Sequence, residues 1–416
     1  MVFDKMASSS ASDLDASESS PLLPLHPSSS SHLSSQPKTF ANVFIAIVGA
    51  GVLGLPYTFM RTGWLAGSIV LLLVAALTFH CMMLLVVTRR RLDCKISSFG
   101  DLGFAVSGRL GRLAVDSMIV LSQTGFCVGY LIFISNSLAH LFPIKNTALS
   151  PKAIYILVMM PFQLGLNSIK TLTLLAPLSL FADVVDLGAM GVVLGQDVSI
   201  YLENHTQVRA FGSPSILLYG IGVAVYAFEG IGMVLPLESE AADKTKFSGT
   251  LGLSMIFIGI MYGLFGAMGY FAFGDDTRDI ITTNFGTGLL TIIVQIGLCV
   301  NLFFTMPVMM NPVYEVFERW VCGKTYCWWL RWALVIAVSL VAMLVPNFAD
   351  FLSLVGSSVC VVLGFVLPSL FHLKVFGAEM GWFTAICDAV IIVLGVLLAI
   401  SGTWSSLMEI FYSVKV

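Results

Sequence analysis

The sequence predicts an all-α polytopic membrane protein with eleven transmembrane helices, arranged as an inverted repeat of five plus five helices with a peripheral helix 11. Hydrophobic residues make up 57% of the 416 residues and charged residues only 11%, whereas a soluble protein of this size has about a quarter charged. Eleven apolar stretches are long enough to cross a hydrocarbon core about 30 Å thick. Two of them, five stretches apart, are interrupted by Gly and Pro, which predicts that helices 1 and 6 are broken.

This composition excludes whole classes of function. The surface must face lipid, so a soluble enzyme, a disulfide scaffold and a nucleic-acid-binding protein are all ruled out, and no nucleic-acid partner is expected. The net charge of -3 is too small to indicate a polyionic partner.

The serine-rich segment 1–37 predicts a disordered cytosolic tail, because it contains many polar residues and no long apolar run. It lacks the basic and apolar regions of a secretory signal, so the first span must itself direct insertion. Glu18, Leu22 and Leu23 fit the acidic dileucine pattern that adaptor complexes read when they sort proteins to lysosomes or vacuoles. An incidental leucine pair is the alternative interpretation.

The transporter domain is predicted over residues 38–403, with repeat one near 38–195, repeat two near 213–372 and helix 11 near 382–403. Residues 404–416 are predicted to form a short lumenal tail. The predicted spans lie near 39–60, 65–88, 113–141, 151–167, 171–195, 213–236, 247–272, 288–316, 329–345, 350–372 and 382–403.

The distribution of basic residues predicts the orientation. With the serine-rich tail in the cytosol, fifteen of the 21 Lys and Arg residues fall on the cytosolic side and six on the other. This bias favours a cytosolic N-terminus and a lumenal C-terminus. The sequon at Asn204 then lies in a non-cytosolic loop, as glycosylation requires.

The cysteines predict neither a disulfide nor a metal site. None of the eight lies in a loop exposed to an oxidising compartment. Cys322 and Cys327 share a predicted cytosolic loop and have no further Cys or His nearby to complete a zinc site, so we expect two free thiols.

The breaks in spans 1 and 6 predict the substrate site. Gly49, Gly51 and Gly54 precede Pro56 in span 1, and Gly230 and Gly232 precede Pro236 in span 6. Gly and Pro both weaken a helix, and bare backbone at membrane depth must line protein or water. Close helix packing at glycine is the alternative interpretation.

The exposed backbone at these breaks predicts the substrate class. Free N–H groups in span 1, at the positive end of a half-helix, suit a carboxylate, and free carbonyls in span 6 suit an ammonium group. Together they describe an α-amino acid, over which aromatic side chains would close. The predicted substrate-binding residues are Gly49, Ala50, Gly51, Tyr130, Ala227, Phe228 and Glu229.

Acids inside the membrane predict the coupling site. Ionised carboxylates at mid-bilayer are costly, so they face the bundle interior and usually have a function. Glu229, Asp183 and Asp186 are the candidates for proton coupling, although a helix-break hydrogen bond or a structural polar face would also explain them. The remaining acids and histidines near span ends are interpreted as interfacial or packing residues: Asp116, Glu315, Asp388, His80, His140 and His372.

Four segments resemble the amino acid/auxin permease family. They are Gly49-Ala-Gly-Val-Leu-Gly-Leu-Pro56, Gly125-Phe-Cys-Val-Gly-Tyr130, Tyr226-Ala-Phe-Glu-Gly-Ile-Gly-Met-Val-Leu-Pro-Leu-Glu238 and Met306-Pro-Val-Met-Met-Asn-Pro312. Within the family, the chain looks most like plant and fungal vacuolar amino acid transporters and animal proton-coupled amino acid transporters. The resemblance implies an eleven-span fold of the leucine-transporter type and proton-coupled movement of neutral amino acids.

For the vacuolar branch, the resemblance implies export from the acidic lumen to the cytosol, and hence a location in the vacuolar membrane (tonoplast), with the plasma membrane as the alternative. Animal relatives carry a histidine near the start of span 1 that is thought to join proton coupling. Here Asn42 lies in that region and span 1 has no histidine. This absence favours the intramembrane acids as the coupling residues.

The leading hypothesis is a secondary active transporter whose partners are an amino acid, protons and the lipid bilayer. The sequence contains no ATP-binding P-loop, so we expect a proton gradient as the energy source and no cofactor. A sensor that binds an amino acid without transporting it is the alternative. An enzyme is not expected, because neither HExxH nor GxSxG is present.

Overall fold

The computed structural model describes residues 33–92, 96–144, 149–170, 176–204, 206–286, 288–323 and 325–415. Within these ranges the chain is helical apart from its connections and one isolated bridge between Ser34 and Ala241. The predicted all-α class is therefore confirmed. The dileucine residues Glu18, Leu22 and Leu23 lie outside the described residues.

The α-helices of the described residues are, in chain order, α1 Gln36–Ile47, α2 Leu55–Thr62, α3 Trp64–Leu92, α4 Phe99–Leu141, α5 Pro151–Asn167, α6 Ala176–Asn204, α7 Leu217–Ala227, α8 Ile231–Glu240, α9 Phe247–Phe273, α10 Leu289–Val321, α11 Trp328–Leu344, α12 Phe348–Val355, α13 Leu367–Phe376 and α14 Trp382–Lys415. Short 3-10 turns join some of them.

The helices form a multi-pass membrane protein. Among the described residues, eight helical stretches are long and apolar enough to cross a membrane, or nine when α1 and Ala50–Thr62, bent by 52°, count as one span. Helices α5 and α11 have 17 residues each, at the lower limit of about 17–25 for a spanning helix. The predicted count of eleven requires both to cross, and it stays a prediction.

Two boundaries differ from the sequence predictions. Helix α4 is 43 residues long and is kinked at Gly108, whose φ of 60° favours glycine. Helix α14 continues to Lys415 and thus runs through most of the segment predicted as a short lumenal tail at 404–416. The amphipathic pattern explains the extension, since Ile410 packs into the core at 8% exposure beyond the predicted end of the helix.

The last two predicted spans differ sharply in burial. In the stretch Phe348–Phe376, 78% of the most apolar window is buried, against 11% in Trp382–Phe411. The tenth predicted span therefore lies in the centre of the bundle, and α14 is peripheral, as predicted for helix 11. Between α12 and α13 the central span widens into two π-helical segments, Gly356–Cys360 and Val362–Val366, a feature that is frequent at functional sites.

The prediction of two free thiols in the loop between α10 and α11 was wrong. Cys322 and Cys327 are joined by a disulfide with Cα atoms 6.7 Å apart. The predicted topology puts both residues in a reducing compartment, and the sequence contains no signal that the turn after α10 brings their side chains together.

Candidate functional site

The first span is broken where the sequence predicts. Helix α1 ends at Ile47, Val48 and Gly49 are extended, and a 3-10 turn begins at Ala50. The first N–H groups of a helical turn have no partner within it. The break therefore presents backbone donors around Gly49 and Ala50.

The second break faces the first. Helix α7 ends at Ala227, and α8 begins at Ile231 after the non-helical residue Gly230. A Cβ atom at Gly230 would lie 2.8 Å from Cγ1 of Ile47. Only glycine permits this approach, which brings the backbone of the two interrupted spans into contact.

Tyr262 of α9 links the two breaks, and the sequence reasoning missed it. Its hydroxyl lies 3.4 Å from the carbonyl oxygen of Ile47 and 3.3 Å from that of Ala227, and it accepts the N–H of Gly49. The side chain is fully buried. A single hydroxyl thus bonds backbone groups on both sides of the candidate site.

The two glycines predicted to bind substrate in span 1, Gly49 and Gly51, have different surroundings. A Cβ atom at Gly49 would have nothing within 4 Å, so this residue borders open space. At Gly51 a Cβ would lie 2.9 Å from Cα of Ala227 and 3.0 Å from Tyr226. Gly49 is therefore placed to contact a ligand, whereas Gly51 allows the two spans to pack together.

Glu229 lies in the second break. Its carboxylate accepts the backbone N–H of Ile231 and so satisfies a donor at the start of α8. Its Oε2 atom lies 4.0 Å from the position of a Cβ on Gly364, in the π-helical part of the central span. Phe228 and Ile231 are buried on either side, but Glu229 and Gly230 retain partial exposure, as expected for residues that line an internal space.

The aromatic residues of the site are closely packed. Phe228 is fully buried, with its ring centroid 5.2 Å from that of Tyr262. Tyr130 is buried near Tyr226. In the part of the chain that the structure describes, the Tyr226 hydroxyl has no hydrogen-bond partner, so it is a further candidate for binding a polar substrate group.

Of the two acids that the sequence predicts as coupling candidates in α6, the structure describes the side chain of one. Asp186 is half-buried and close enough to Tyr262 for its carboxylate to interact electrostatically with the hydroxyl. It therefore lies near the paired breaks. The side chain of Asp183 lies outside the described part of the structure. Asp197, three turns after Asp186, was overlooked in the sequence and is fully buried, with neither carboxylate oxygen hydrogen-bonded to a described residue.

One end of the molecule, predicted to face the lumen, is closed by a charged cluster. Arg61 lies 3.7 Å from Oδ1 of Asp350 and 3.1 Å from Oε2 of Glu409. Its guanidinium also stacks 4.6 Å from the ring centroid of Tyr219. We call these four residues the lumenal closure, which ties the first span to the sixth, the tenth and α14.

The opposite end, predicted to face the cytosol, is closed in a similar way. Glu238 is 1% exposed and pairs with Arg89 and with Arg90, the latter at 2.9 Å. We call these three residues the cytosolic closure. Ser34 lies beside it and exchanges backbone hydrogen bonds with Glu240 and the residue after Ala241.

Two of the acids interpreted as interfacial are instead buried. Asp116 is 6% exposed and accepts a 2.6 Å hydrogen bond from Arg319. Asp388 is 1% exposed and lies 2.6 Å from His372. In both cases the partner lies on a different helix, 203 positions away for Asp116 and 16 for Asp388.

Several known proteins are similar to this chain. Residues 32–408 match the family described as "Transmembrane amino acid transporter protein". The chain is 66% identical to "Amino acid transporter AVT3B" of Arabidopsis thaliana, over 91% of this chain and 94% of that one. It is 28% identical to "Vacuolar amino acid transporter 3" of Saccharomyces cerevisiae, over 90% of this chain and 57% of that one. The solved structure of MhsT in complex with L-phenylalanine matches with a TM-score of 0.48 at 14% identity, over 90% of this chain and 96% of that one.

Proposed function

The chain belongs to the family of transmembrane amino acid transporters, and from this premise we propose that it exports neutral amino acids from the vacuole to the cytosol, driven by protons. Members of the family are transporters, so the chain is a membrane transporter and not an enzyme. The substrate class, the driving ion, the direction and the membrane are the parts that we propose.

The observation that carries the proposal is the pairing of the two breaks through Tyr262. The N–H groups from Ala50 onward, at the start of the 3-10 turn, suit a carboxylate, and carbonyl oxygens at the end of α7 suit an ammonium group. Both are backbone groups, and among the described residues no hydrogen bond or cation–π contact joins Tyr262 to a Lys or Arg. A zwitterionic amino acid with an uncharged side chain matches this set of groups.

The two closures support alternating access. A transporter exposes its site to one side at a time. The lumenal closure is centred on Arg61 and the cytosolic closure on Glu238, and each joins helices of both predicted repeats. Separation of one closure while the other stays formed would open the site to one side only.

For proton coupling we propose Glu229 as the principal residue. It is an acid beside the breaks with partial access to the internal space, and it also bonds the first turn of α8 at Ile231. Loss or gain of a proton on this carboxylate would change both its charge and that bond. Asp183 and Asp186 remain the alternatives, since Asp186 lies near Tyr262.

We propose the vacuolar membrane as the location, with the N-terminus in the cytosol and the C-terminus in the lumen. Relatives in yeasts bear names that include the word vacuolar. The basic residues favour this orientation, and the dileucine residues Leu22 and Leu23 would then be accessible to adaptor complexes. The plasma membrane is the alternative location.

Flux measurements in proteoliposomes test the proposal. Purified protein is reconstituted into vesicles, and the vesicles are loaded with a labelled neutral amino acid. Efflux of the amino acid is then followed with an acidic or a neutral vesicle interior. We expect the acidic interior to accelerate efflux, and we expect E229Q to lose the acceleration. E315Q, which changes an exposed acid of α10, is the matched control.

Three outcomes separate the parts of the proposal. Equal efflux with and without the pH gradient would reject proton coupling, and faster flux of lysine or glutamate than of alanine would reject the neutral substrate class. Binding of the amino acid without any flux would favour a sensor over a transporter.

A further inference from the structure

The tenth and eleventh predicted spans share a buried acid and base pair that lies apart from the breaks. Nδ1 of His372, in α13, lies 2.6 Å from Oδ2 of Asp388, in α14. The two residues are 7% and 1% exposed. At 1.5 Å per residue, His372 is about 6 Å from the end of its helix and Asp388 about 9 Å from the start of its own. The pair therefore lies below the predicted cytosolic surface.

The pair has no other charged partner among the described residues. Oδ1 of Asp388 is buried without a hydrogen bond, and the neutral Cys81 thiol of α3 lies nearby. Lys374 of the same helix bonds Ser107 instead. A buried carboxylate needs a counter-charge or a proton. Within the described part of the chain, only the imidazole of His372 can supply either.

The pair is also connected to the centre of the protein. His372 lies eight residues after Gly364, or about 12 Å along the central span, and Gly364 is the residue that faces the carboxylate of Glu229. Phe371, next to His372, packs against Phe99 of α4. A change at His372 thus acts on the helix that also borders the candidate coupling acid.

We propose that His372 and Asp388 form a proton-binding site, separate from the substrate site, through which the transporter responds to cytosolic pH. Imidazole is the side chain whose charge changes between about pH 5 and 8. Protonation turns a buried negative charge into a neutral ion pair, which holds α14 against α13. This inference rests on the proposed transport function and its orientation.

The first test uses transport. Vesicles are prepared from cells that express the chain, so that all copies share one orientation. Amino acid flux is measured while the pH on the cytosolic face is stepped from 8 to 6 and the lumenal pH is held constant. We expect a several-fold change in flux for the wild type and a clearly smaller change, the part due to the proton gradient alone, for H372Q and for D388N. The double variant should match either single variant, because each change removes the same site.

H80Q is the matched control, since it replaces an exposed histidine of α3, and it should keep the wild-type profile. A structural role alone would lower flux by the same factor at every pH. Wild-type-shaped pH profiles in H372Q and D388N would therefore overturn the proposal, even if their flux were reduced.

A second test does not depend on transport. Melting temperatures of the purified proteins are measured from pH 5 to 8. We expect the pH dependence of the wild type to be reduced in H372Q and D388N and retained in H80Q; identical curves in all four proteins would overturn the proton site. If the curves differ as expected but wild-type flux ignores every pH gradient, then the proton-coupled function fails while the proton site is supported.

Discussion

Replacement of Tyr262 by Phe tests whether one hydroxyl holds the two breaks together. The substitution leaves no cavity, since the ring stays, but it removes the bonds to the carbonyl oxygens of Ile47 and Ala227 and to the N–H of Gly49. A single O–H donates fully to only one carbonyl at a time, and distances of 3.3 and 3.4 Å indicate weak bonds.

The magnitude follows from these bonds. A lost neutral hydrogen bond costs about 1 kcal/mol, and a buried N–H left without a partner costs about 1–3 kcal/mol. We therefore expect Y262F to weaken amino acid binding by about 2 kcal/mol, or roughly 30-fold, because 1.4 kcal/mol corresponds to a factor of ten. Binding of a labelled amino acid to purified protein gives the change in affinity. The melting temperature of the same protein shows whether its stability changes as well.

The control is Y155F, which removes a hydroxyl that donates to the backbone carbonyl of Phe142 at 2.6 Å in an exposed position. It should leave substrate affinity unchanged. Wild-type affinity in Y262F, or an equal loss in Y262F and Y155F, would refute the role assigned to Tyr262.

Three further predictions concern regions outside the breaks. R61Q leaves the buried Asp350 without its cation and should destabilise the protein by about 3–5 kcal/mol, whereas R209Q, in an exposed pair, should cost at most about 1 kcal/mol; equal melting temperatures would contradict the lumenal closure. Burial raises the pKa of Asp279, in the loop after α9. Folding therefore favours its protonated form, and stability should fall as the pH rises above the unfolded value of about 3.9. D279N should lessen that fall in a melting series from pH 4 to 7, and an unchanged slope would exclude the effect. Replacement of Leu22 and Leu23 by Ala should move a tagged chain from the vacuole to the plasma membrane, and continued vacuolar staining would reject the sorting signal.

The sequence predicted the breaks because their causes are local. Gly and Pro weaken a helix wherever they occur, so Gly49 and Gly230 could be identified without knowledge of any neighbour. The all-α class followed in the same way from apolar length.

Long-range contacts could not be predicted in this way. Tyr262 is one aromatic residue in a uniformly apolar helix, and its partner Ile47 is 215 positions away. Asp388 resembled an interfacial acid because it lies near a helix end, and its burial depends on His372 of the neighbouring helix. A single sequence contains no signal that joins such positions.

The two closures together have a consequence for the leakage of ions across the membrane. A continuous pore would require both to separate at once. If the closures open independently, the population of the doubly open state is the product of two small probabilities and is far below that of either singly open state. A transporter built in this way can reside in the membrane of an acidic compartment without discharging its proton store.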